Sequence, residues 1–334
     1  MDLRPLDIHD DDLMSAVFRV VDRGTSLGRE EMPRATEQEW VGGVRAPDSG
    51  ERAVHLGAFV DGEVVGVATA YLFLLDNTDK AWFEVVVDPD HRRSGIGSAL
   101  VARLTEVATA DGRTQLTGGT KIPFDRVEDH PYRAFAEHHG FARSNVEVVR
   151  HLDLPVPEAS LSAWADQAAA AAADYRIETH VGSFPDEHAE SLCVLLGQLA
   201  VDAPTGDVVY EEEVMTPERL AERYEMSAAM GRETFETIAL SPDGVVAAQS
   251  TLQVPLDPEG RDVWQWGTFV HREHRGHRLG LAVKTANLRA VQEQRPHVAR
   301  VTTQNGETND FMISINELIG FRPVEASMEF LRRV

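Results

Sequence analysis

The sequence predicts an α/β fold that is built twice, in two domains of similar plan. Apolar, strand-like segments bounded by turn residues alternate with segments of helical period along the chain. A glycine-containing loop occurs twice, with Gly97 and Gly280 183 residues apart, and a Gly-Phe pair recurs at Gly140 and Gly320, 180 residues apart. Landmarks that keep nearly one spacing indicate a duplicated domain.

The first half begins with a strand over residues 3–8 and a helix that follows the Asp10-Asp11-Asp12 cluster and runs through Val21. Thr36 and Glu39 form a capping-box pattern that predicts a second helix. Strands over 55–60 and 63–74 flank Asp61-Gly62 and predict a hairpin with a two-residue turn. The remaining elements are a fourth strand at 82–87, a helix at 96–110, a fifth strand from 115, a helix at 130–139 and a late strand at 146–152.

Two prolines, Pro155 and Pro157, interrupt this pattern because proline neither continues a helix nor pairs inside a sheet. The Ala-rich segment 158–173 has high helix propensity and is interpreted as a connector. We therefore predict an N-terminal domain over 1–154, a linker helix within 155–173 and a C-terminal domain over 174–334.

The second half repeats the plan. Thr216 and Pro217 are typical of a helix start, and Gly320 of a helix end. The elements are a strand at 175–180, a helix at 186–201, the helix from 216, a hairpin of 235–240 and 245–254 around Asp243-Gly244, a loop-bearing strand at 262–270, a helix at 279–293, a fifth strand at 298–303 and a last helix at 309–319.

Composition narrows the class of protein. The 334 residues suffice for two cores, and 43% hydrophobic with 26% charged residues is typical of soluble globular proteins. A net charge of −23 argues against nucleic acid as a partner. The sequence shows neither a signal-peptide pattern nor a membrane span, which predicts a cytoplasmic protein. The single Cys193 is expected to be a buried apolar residue, and the 13 histidines lack metal-ligand spacing.

The segment from Arg92 to Ser98 combines basic residues with two glycines at the start of a helix. The first turn of a helix presents unpaired N–H groups and a partial positive charge, and glycine lets a ligand approach the backbone closely. The segment therefore predicts a phosphate-binding turn. It matches neither the G-x-G-x-x-G nor the P-loop pattern.

The spacing Arg92-x-x-Gly95-x-Gly97 resembles the acyl-CoA pyrophosphate loop of the GCN5-related N-acetyltransferases (GNAT). The stretch His274-Arg275-Gly276-His277-Arg278-Leu279-Gly280, with Asp202-Ala203-Pro204-Thr205-Gly206, is similar to actinobacterial tandem members, distant relatives of mycothiol synthase. The resemblance covers most of the chain. It implies two tandem GNAT folds, each a mixed, mostly antiparallel sheet with splayed fourth and fifth strands flanked by helices, and acetyl-CoA as cosubstrate.

The resemblance also implies where acetyl-CoA binds. The pantetheine arm would pair with the strand backbone at Val85 and Val87, or at Thr268 and Val270, and Asn309 fits the position of an Asn that contacts this arm. Arg278 stands where the first copy has Gly95, so its side chain would either crowd the diphosphate or neutralise it. The diphosphate would contact Arg92, Arg93, Ser94, Gly95, Ile96, Gly97 and Ser98, or Arg275, Gly276, His277, Arg278, Leu279 and Gly280.

The resemblance also concerns the acid that protonates the leaving thiolate. Family members often place a Tyr four residues before the Gly of the Gly-Phe pair, as the acid for the leaving thiolate. Here Ala136 and Asn316 occupy that position. Tyr132, one turn earlier, is either a substitute acid or a structural residue. Asn305 and Asn316 are the catalytic candidates of the second copy, with helix capping as the alternative for Asn305 and Asn309.

Glu84 is the only carboxylate within the first loop-bearing strand and is the candidate general base. Strand alternation turns it away from the face of Val85 and Val87 unless a bulge intervenes. Its other interpretation is a solvated surface residue. The equivalent position in the second copy is Gly267, so that copy would need a base elsewhere.

These residues predict an N-acetyltransferase that moves acetyl from acetyl-CoA to a primary amine of a small molecule. The amine would attack directly in a ternary complex, because no activated nucleophile is present. The alternative is a non-catalytic acyl-CoA-binding or sensing protein, since both copies lack the Tyr. Analogy with tandem relatives favours the C-terminal copy for catalysis, whereas the better loop is N-terminal. A monomer is expected in preference to a homodimer.

Overall fold

The computed structural model describes residues 1–334 and divides into two compact units. The first unit comprises Met1–Glu147, Thr205–Glu211 and Val324–Val334, and the second comprises Val148–Pro204 and Glu212–Pro323. Each unit thus includes a strand segment from the other half of the chain. The sequence-based ranges 1–154, 155–173 and 174–334 stay a prediction about the duplicated segments.

The chain forms twelve strands and nine α-helices. The strands are β1 (Asp2–Pro5), β2 (Glu51–Val60), β3 (Glu63–Phe73), β4 (Lys80–Val87), β5 (Gln115–Ile122), β6 (Ala142–Asp153), β7 (Arg176–Val181), β8 (Arg232–Leu240), β9 (Val246–Pro255), β10 (Asp262–Val270), β11 (Arg300–Gly306) and β12 (Arg322–Arg333). The helices are α1 (Asp11–Ser26), α2 (Glu37–Arg45), α3 (Ile96–Ala110), α4 (Pro131–His138), α5 (Glu158–Ala169), α6 (Asp186–Asp202), α7 (Pro217–Ala229), α8 (Leu279–Gln294) and α9 (Asp310–Ile319).

In the first unit the strands follow the order β1-β2-β3-β4-β5-β12. Only β4 and β5 run parallel, while the other neighbours are antiparallel. On one face of the sheet, α3 buries Leu100 and Leu104 against Phe83 and Leu116. On the other face, α1 buries Val17 and Val20 against Val67 of β3. Burial of such side chains contributes about 1.5–3 kcal/mol each and fixes both helices to the sheet.

The second unit repeats this plan with the order β6-β11-β10-β9-β8-β7, in which β10 and β11 are parallel. Its central helix, α8, is buried nearly all round, and α5 packs on it through Leu161 and Ala168. On the opposite face, α6 and α7 contribute Leu192 and Leu220 to a core under β8. The mixed, mostly antiparallel sheet flanked by helices is confirmed in both units.

Several local predictions are confirmed. Asp61 and Gly62 both take positive φ, 51° and 90°, as a two-residue turn of a right-twisted hairpin requires. The Thr36 and Thr216 side chains accept hydrogen bonds from Glu39 N and Arg219 N and cap α2 and α7. Gly320 ends α9 with φ 100°. The second hairpin instead turns over residues 241–245, and β12 has no counterpart among the predicted elements.

Cys193 is buried on α6, as expected, and burial raises the pKa of its thiol to about 11. None of the nine helices is both long and apolar enough to cross a membrane. No group of three His, Cys, Asp or Glu side chains is arranged to hold a metal ion.

Candidate acyl-CoA sites of the two units

The parallel strands β4 and β5 part in the middle of the first sheet. They pair from Lys80–Gln115 to Phe83–Gly118 and no further, so residues 84–87 have no partner on the β5 side. Gly118 permits the last contact, because a Cβ there would lie 2.7 Å from the Phe83 carbonyl oxygen. Beyond this point β5 stays paired with β12 through Ile122. The predicted splay of the fourth and fifth strands is therefore present.

The second unit has the same splay with an added irregularity. Pairing of β10 with β11 ends at Trp264–Thr302. Immediately afterwards the register of β10 against β9 shifts between Gln265 and Gly267, and Trp266 is 65% exposed. An extra residue on one strand is a β-bulge, a feature common next to active sites. Strand β4 pairs with β3 without such a shift, so Glu84 and Val85 point to opposite faces.

Each splay opens in front of a loop, and the two loops have the same backbone conformation. Two residues in each loop are left-handed, Arg93 (φ 64°) and Gly95 (φ 86°) in the first, Gly276 (φ 88°) and Arg278 (φ 53°) in the second. The glycine and the arginine have exchanged places between the copies. The departure at Arg278 therefore leaves the path of the loop intact, since an arginine adopts the conformation that glycine has at residue 95.

The helices behind the loops begin without a side-chain cap. The first backbone hydrogen bond of α3 runs from Ala99 N to Gly95 O at 3.0 Å, and that of α8 from Ala282 N to Arg278 O at 3.1 Å. Three N–H groups thus remain free at each helix start, those of Ile96, Gly97 and Ser98 and those of Leu279, Gly280 and Leu281. Free N–H groups and the helix dipole together attract a phosphate.

Two loop arginines brace the loops themselves. The Arg92 guanidinium donates to the Val87 carbonyl at 3.2 Å and to the Gly24 carbonyl of α1 at 2.9 Å. Its counterpart Arg275 donates to Val270 at 3.4 Å and to the Asp202 carboxylate of α6 at 2.6 Å. Arg92 thus ties its strand end to α1, and Arg275 ties its strand end to α6. Their predicted contact with phosphate stays a prediction, and it would compete with these bonds.

The remaining loop side chains differ between the copies. Arg93 and Ser94 are exposed in the first loop. In the second, His277 Nδ1 contacts the Ala171 carbonyl at 3.1 Å and Arg278 donates to the Gln167 carbonyl at 3.2 Å, both at the end of α5. Carbonyls at a helix C-terminus favour cationic partners. The second loop is therefore tethered to α5, and the first is not.

A glycine in each helix allows close packing beside the splay. A Cβ on Gly97 would lie 3.1 Å from the Phe135 ring of α4 and 3.6 Å from Val87. A Cβ on Gly280 would lie 3.2 Å from Ile315 of α9, 3.6 Å from Val270 and 3.9 Å from Thr268. The two helices and the splayed strand meet at these glycines in both units, so a larger residue would displace the walls of the groove.

Glu84 lies on the α1 face of the first sheet, beside Thr69. Part of the Glu84 surface is accessible to solvent, yet desolvation of the carboxyl by surrounding protein raises its pKa. A hydrogen bond with Trp82 and the charge of Lys121 act in the opposite sense. On the far side of Thr69, His55 Nδ1 lies 3.0 Å from the Thr69 hydroxyl. An accessible carboxyl with a raised pKa is suited to accept a proton near neutral pH.

Further charged groups surround Lys121 on the same face. Burial lowers the pKa of Lys121, raises that of Glu147 to about 7 and also raises that of Glu329. Arg29 holds Glu325 in a bidentate ion pair at 2.8 Å. Sequence analysis missed this group because its members are far apart in the chain, and single Lys and Glu residues in strands are read as solvated.

The corresponding row of the second unit carries its carboxylate on a different strand. Glu236, Thr251 and Gly267 are neighbours across β8, β9 and β10, at the places of His55, Thr69 and Glu84. The Thr251 hydroxyl donates to Glu236 at 2.8 Å, and burial raises the pKa of Glu236 to about 8. At Gly267 a Cβ would lie 3.2 Å from Gln249 Nε2, so the Gln249 amide fills the space beside it.

The other predicted catalytic residues are held by protein contacts. The Tyr132 hydroxyl donates to the Gly24 carbonyl at 3.3 Å and accepts from Arg92 at 3.1 Å. Asn309 caps α9, with its side chain accepting from Met312 N at 3.2 Å. Asn305 caps no helix and instead accepts from the Asn316 amide at 3.0 Å. Their roles towards CoA or the leaving group stay predictions.

Comparison with known proteins identifies a matching family over part of the chain. Residues 21–141 match the model of the Acetyltransferase (GNAT) family. This segment includes the first loop, Glu84 and α4. No curated protein matches the chain.

Similar solved structures cover the whole chain. A tandem GNAT protein from the clavulanic acid biosynthesis pathway, solved without AcCoA, is 26% identical with a TM-score of 0.77, covering 99% of this chain and 98% of its own. A GCN5-related N-acetyltransferase from Sphaerobacter thermophilus is 18% identical with a TM-score of 0.63, covering 99% and 95%. The N-myristoyltransferase of Saccharomyces cerevisiae with bound myristoyl-CoA and inhibitors is 10% identical with a TM-score of 0.62, covering 99% and 80%. The last two likenesses concern the fold alone.

Proposed function

Since residues 21–141 form an acetyltransferase domain of the GNAT family and the second unit repeats its fold, we propose that the chain is an acyl-CoA-dependent N-acyltransferase. The acyl donor is acetyl-CoA, and the acceptor is a primary amine of a small molecule. Both units are binding sites for the CoA moiety.

One observation carries this proposal. In each unit the parallel strands part directly before a loop with two left-handed residues, and that loop ends on an uncapped helix. An extended pantetheine chain needs an unpaired strand edge, and a diphosphate needs free N–H groups. The two requirements are met side by side, twice in one chain.

Glu84 is the base that we propose for the first unit. The acceptor amine approaches from the α1 face, and Glu84 accepts a proton from its ammonium form. The amine nitrogen then attacks the thioester carbonyl carbon, the carbon–sulfur bond breaks, and its electron pair leaves on sulfur as the CoA thiolate. The acylated nitrogen gives up its remaining extra proton to solvent, which leaves a neutral amide. Glu147 and Glu329 lie on this face, and in their ionised form they favour a cationic acceptor.

An acetyl-CoA consumption assay over a panel of small primary amines tests the proposal, with mass spectrometry of the products. We expect turnover with at least one amine and a product that is heavier by one acetyl group. Binding of acetyl-CoA without turnover on any amine would favour the alternative of a non-catalytic acyl-CoA-binding protein.

A further inference from the structure

A buried lysine without a counter-ion lies in the core of the second unit. Lys284 of α8 is 1% exposed. Its ammonium donates to Asn316 Oδ1 at 2.9 Å and lies 5.0 Å from the centre of the Phe321 ring, and it forms no ion pair. Burial lowers its pKa to about 7, and no charged side chain contributes to that shift. Such a lysine costs folding free energy, because nothing neutralises its charge.

Lys284 begins a chain of hydrogen bonds that all point the same way. The ammonium donates to Asn316 Oδ1, and Asn316 Nδ2 donates to Asn305 Oδ1 at 3.0 Å. Asn305 Nδ2 then donates to the Gly306 carbonyl at 2.9 Å. Head-to-tail donors polarise one another, and each amide nitrogen carries a second N–H. When Lys284 is protonated, its charge therefore polarises the amides of Asn316 and Asn305.

This chain of hydrogen bonds ends at the splay of β10 and β11. Asn305 lies beyond Trp264–Thr302, the last pair that joins β11 to β10. Asn316 follows Ile315, whose side chain packs over Gly280 at the groove between α8 and α9. The hydrogen bonds therefore run from the buried ammonium of Lys284 to the place where the strands separate.

The first unit provides an internal comparison. At the positions equivalent to Lys284 and Asn316 it has Val101 and Ala136, both packed in the apolar core. The same fold is thus complete without a lysine or an asparagine at these positions. Both polar residues occur together in the second unit, although there they replace apolar packing. A shared role towards an anion accounts for this pair.

We propose that Lys284 is a positioning residue that acts through Asn316 and Asn305 to stabilise the CoA thiolate in the splay of the second unit. The inference rests on the proposed binding of acyl-CoA there. When the amine attacks the thioester carbonyl carbon and displaces CoA, the electron pair of the broken carbon–sulfur bond stays on sulfur. The Asn amide N–H groups donate to that sulfur, and the thiolate favours the ammonium form of Lys284, whose charge compensates it without proton transfer to sulfur.

The ionisation of bound CoA tests this without knowledge of the acceptor. Free CoA serves as the probe, protein is in excess, and the ultraviolet absorbance of the thiolate is followed against pH. A Gly97→Leu background closes the first groove so that only the second unit is read. We expect the bound thiol to ionise about one pH unit or more below a free thiol, whose pKa is about 8.5.

Four further variants isolate the cause. Lys284→Met and Asn316→Leu should return the thiol to the value of free CoA, because one removes the charge and the other breaks the chain. Lys284→Arg should retain the shift. Lys80→Met is the matched control, since Lys80 is a 4% exposed lysine of the first unit paired with Asp79 at 2.8 Å, and it should leave the titration unchanged.

Three outcomes overturn the inference. CoA that binds with the same thiol pKa in the Gly97→Leu background and in its Lys284→Met derivative refutes it, while the proposed function stands. An equal change on Lys80→Met shows a general effect of substitution and also refutes it. Absence of calorimetric CoA binding in the Gly97→Leu background removes the second site from the proposed function as well.

Discussion

At the scale of single residues, the two units place one carboxylate each in the same cross-strand row but on different strands. In the first unit Glu84 stands on β4 beside the splay, and in the second Glu236 stands on β8 behind Thr251. Glu84 is accessible to solvent, whereas Glu236 is 4% exposed. A base must reach the proton that it accepts. Glu84 therefore meets the geometric requirement in the structure as it stands.

Replacement of Glu84 by Gln should lower kcat/KM for amine acetylation by about 10²–10⁴-fold, the usual contribution of a general base. Because protein around Glu84 raises its carboxyl pKa, the acid limb of the wild-type rate profile should lie above the ordinary range of a carboxyl. Steady-state kinetics against pH should show that limb in the wild type and not in the variant. Glu63→Gln, which changes an exposed carboxylate at the start of β3, is the control. Equal rates for the wild type and Glu84→Gln would contradict the role of Glu84 as the base.

The buried ammonium of Lys284 makes a separate prediction about stability. Its pKa falls from 10.5 unfolded to about 7 folded, so between these values the unfolded chain binds more protons. The free energy of unfolding should therefore rise with pH through this window, by up to about 1.4 kcal/mol per pH unit from this group. Lys284→Met removes this dependence. Urea unfolding at several pH values should show the variant more stable at pH 7, with the difference shrinking towards pH 10.

Sequence reasoning located some of these residues and missed others for a physical reason. Strand alternation predicted that Glu84 faces away from Val85, since an unbulged strand leaves no choice. Lys284 lies in α8, which is buried on nearly every side although its buried residues include the polar Thr285 and Asn287, so the sequence pattern did not mark the lysine as buried. Arg92 was predicted to contact phosphate because it is a basic residue of the glycine-containing loop. Its partner, the Gly24 carbonyl, is far away in the sequence, so only the fold reveals this hydrogen bond.

At the scale of elements, the two loops keep one conformation with opposite placement of glycine. A left-handed conformation costs a residue other than glycine about 1–2 kcal/mol. Arg93 and Arg278 both bear this cost. The preserved backbone at two strained positions indicates that the path of the loop, rather than the identity of its side chains, is what the duplicated units share.

Arg93→Gly should raise the free energy of unfolding of the first unit by a few tenths to about 1 kcal/mol, because it relieves the left-handed strain and removes no hydrogen bond. Arg278→Gly should gain less or nothing, since it also loses the bond to the Gln167 carbonyl. Thermal unfolding of both variants measures the difference. A larger gain for Arg278→Gly would contradict the strain argument.

Elements with local signals were predicted well. The start of α3 follows from Gly95, and its end from the Asp111-Gly112 turn, so the predicted 96–110 and the observed bounds agree. The last strand, β12, carries no such local signal, because its polar residues and apolar residues alternate weakly and its partner β5 lies about two hundred residues earlier. Pairing at such a distance is decided by tertiary contacts.

At the scale of the whole molecule, the terminal strand belongs with the first unit. Val324–Val334 belong to the first unit, Ala326–Arg333 of this segment pair with β5, and Met328 and Phe330 complete the core under α3. A chain cut after Pro323 would leave the edge of β5 unpaired and remove both side chains. Losses of this size are comparable to the usual margin of domain stability, about 5–15 kcal/mol, because deletion of one buried Phe side chain alone costs about 3–5 kcal/mol and the strand pairing is lost as well.

Truncation after residue 323 should therefore unfold the first unit and spare the second. Hydrogen exchange read by mass spectrometry should show lost protection in β2–β5 and retained protection in α8, β9 and β10. A variant with only Arg332 and Arg333 changed to Ser is the control for charge. Uniform loss across both units, or no loss at all, would contradict the assignment of β12.

Calorimetric titration of CoA into the wild-type chain and into Gly97→Leu and Gly280→Leu asks whether the two glycine-bearing grooves are both CoA sites. We expect two CoA molecules per wild-type chain and one in each variant, because each leucine displaces Phe135 or Ile315 into its own groove. Heats of binding that are unchanged in both variants, or absent from the wild type, would contradict the proposed function.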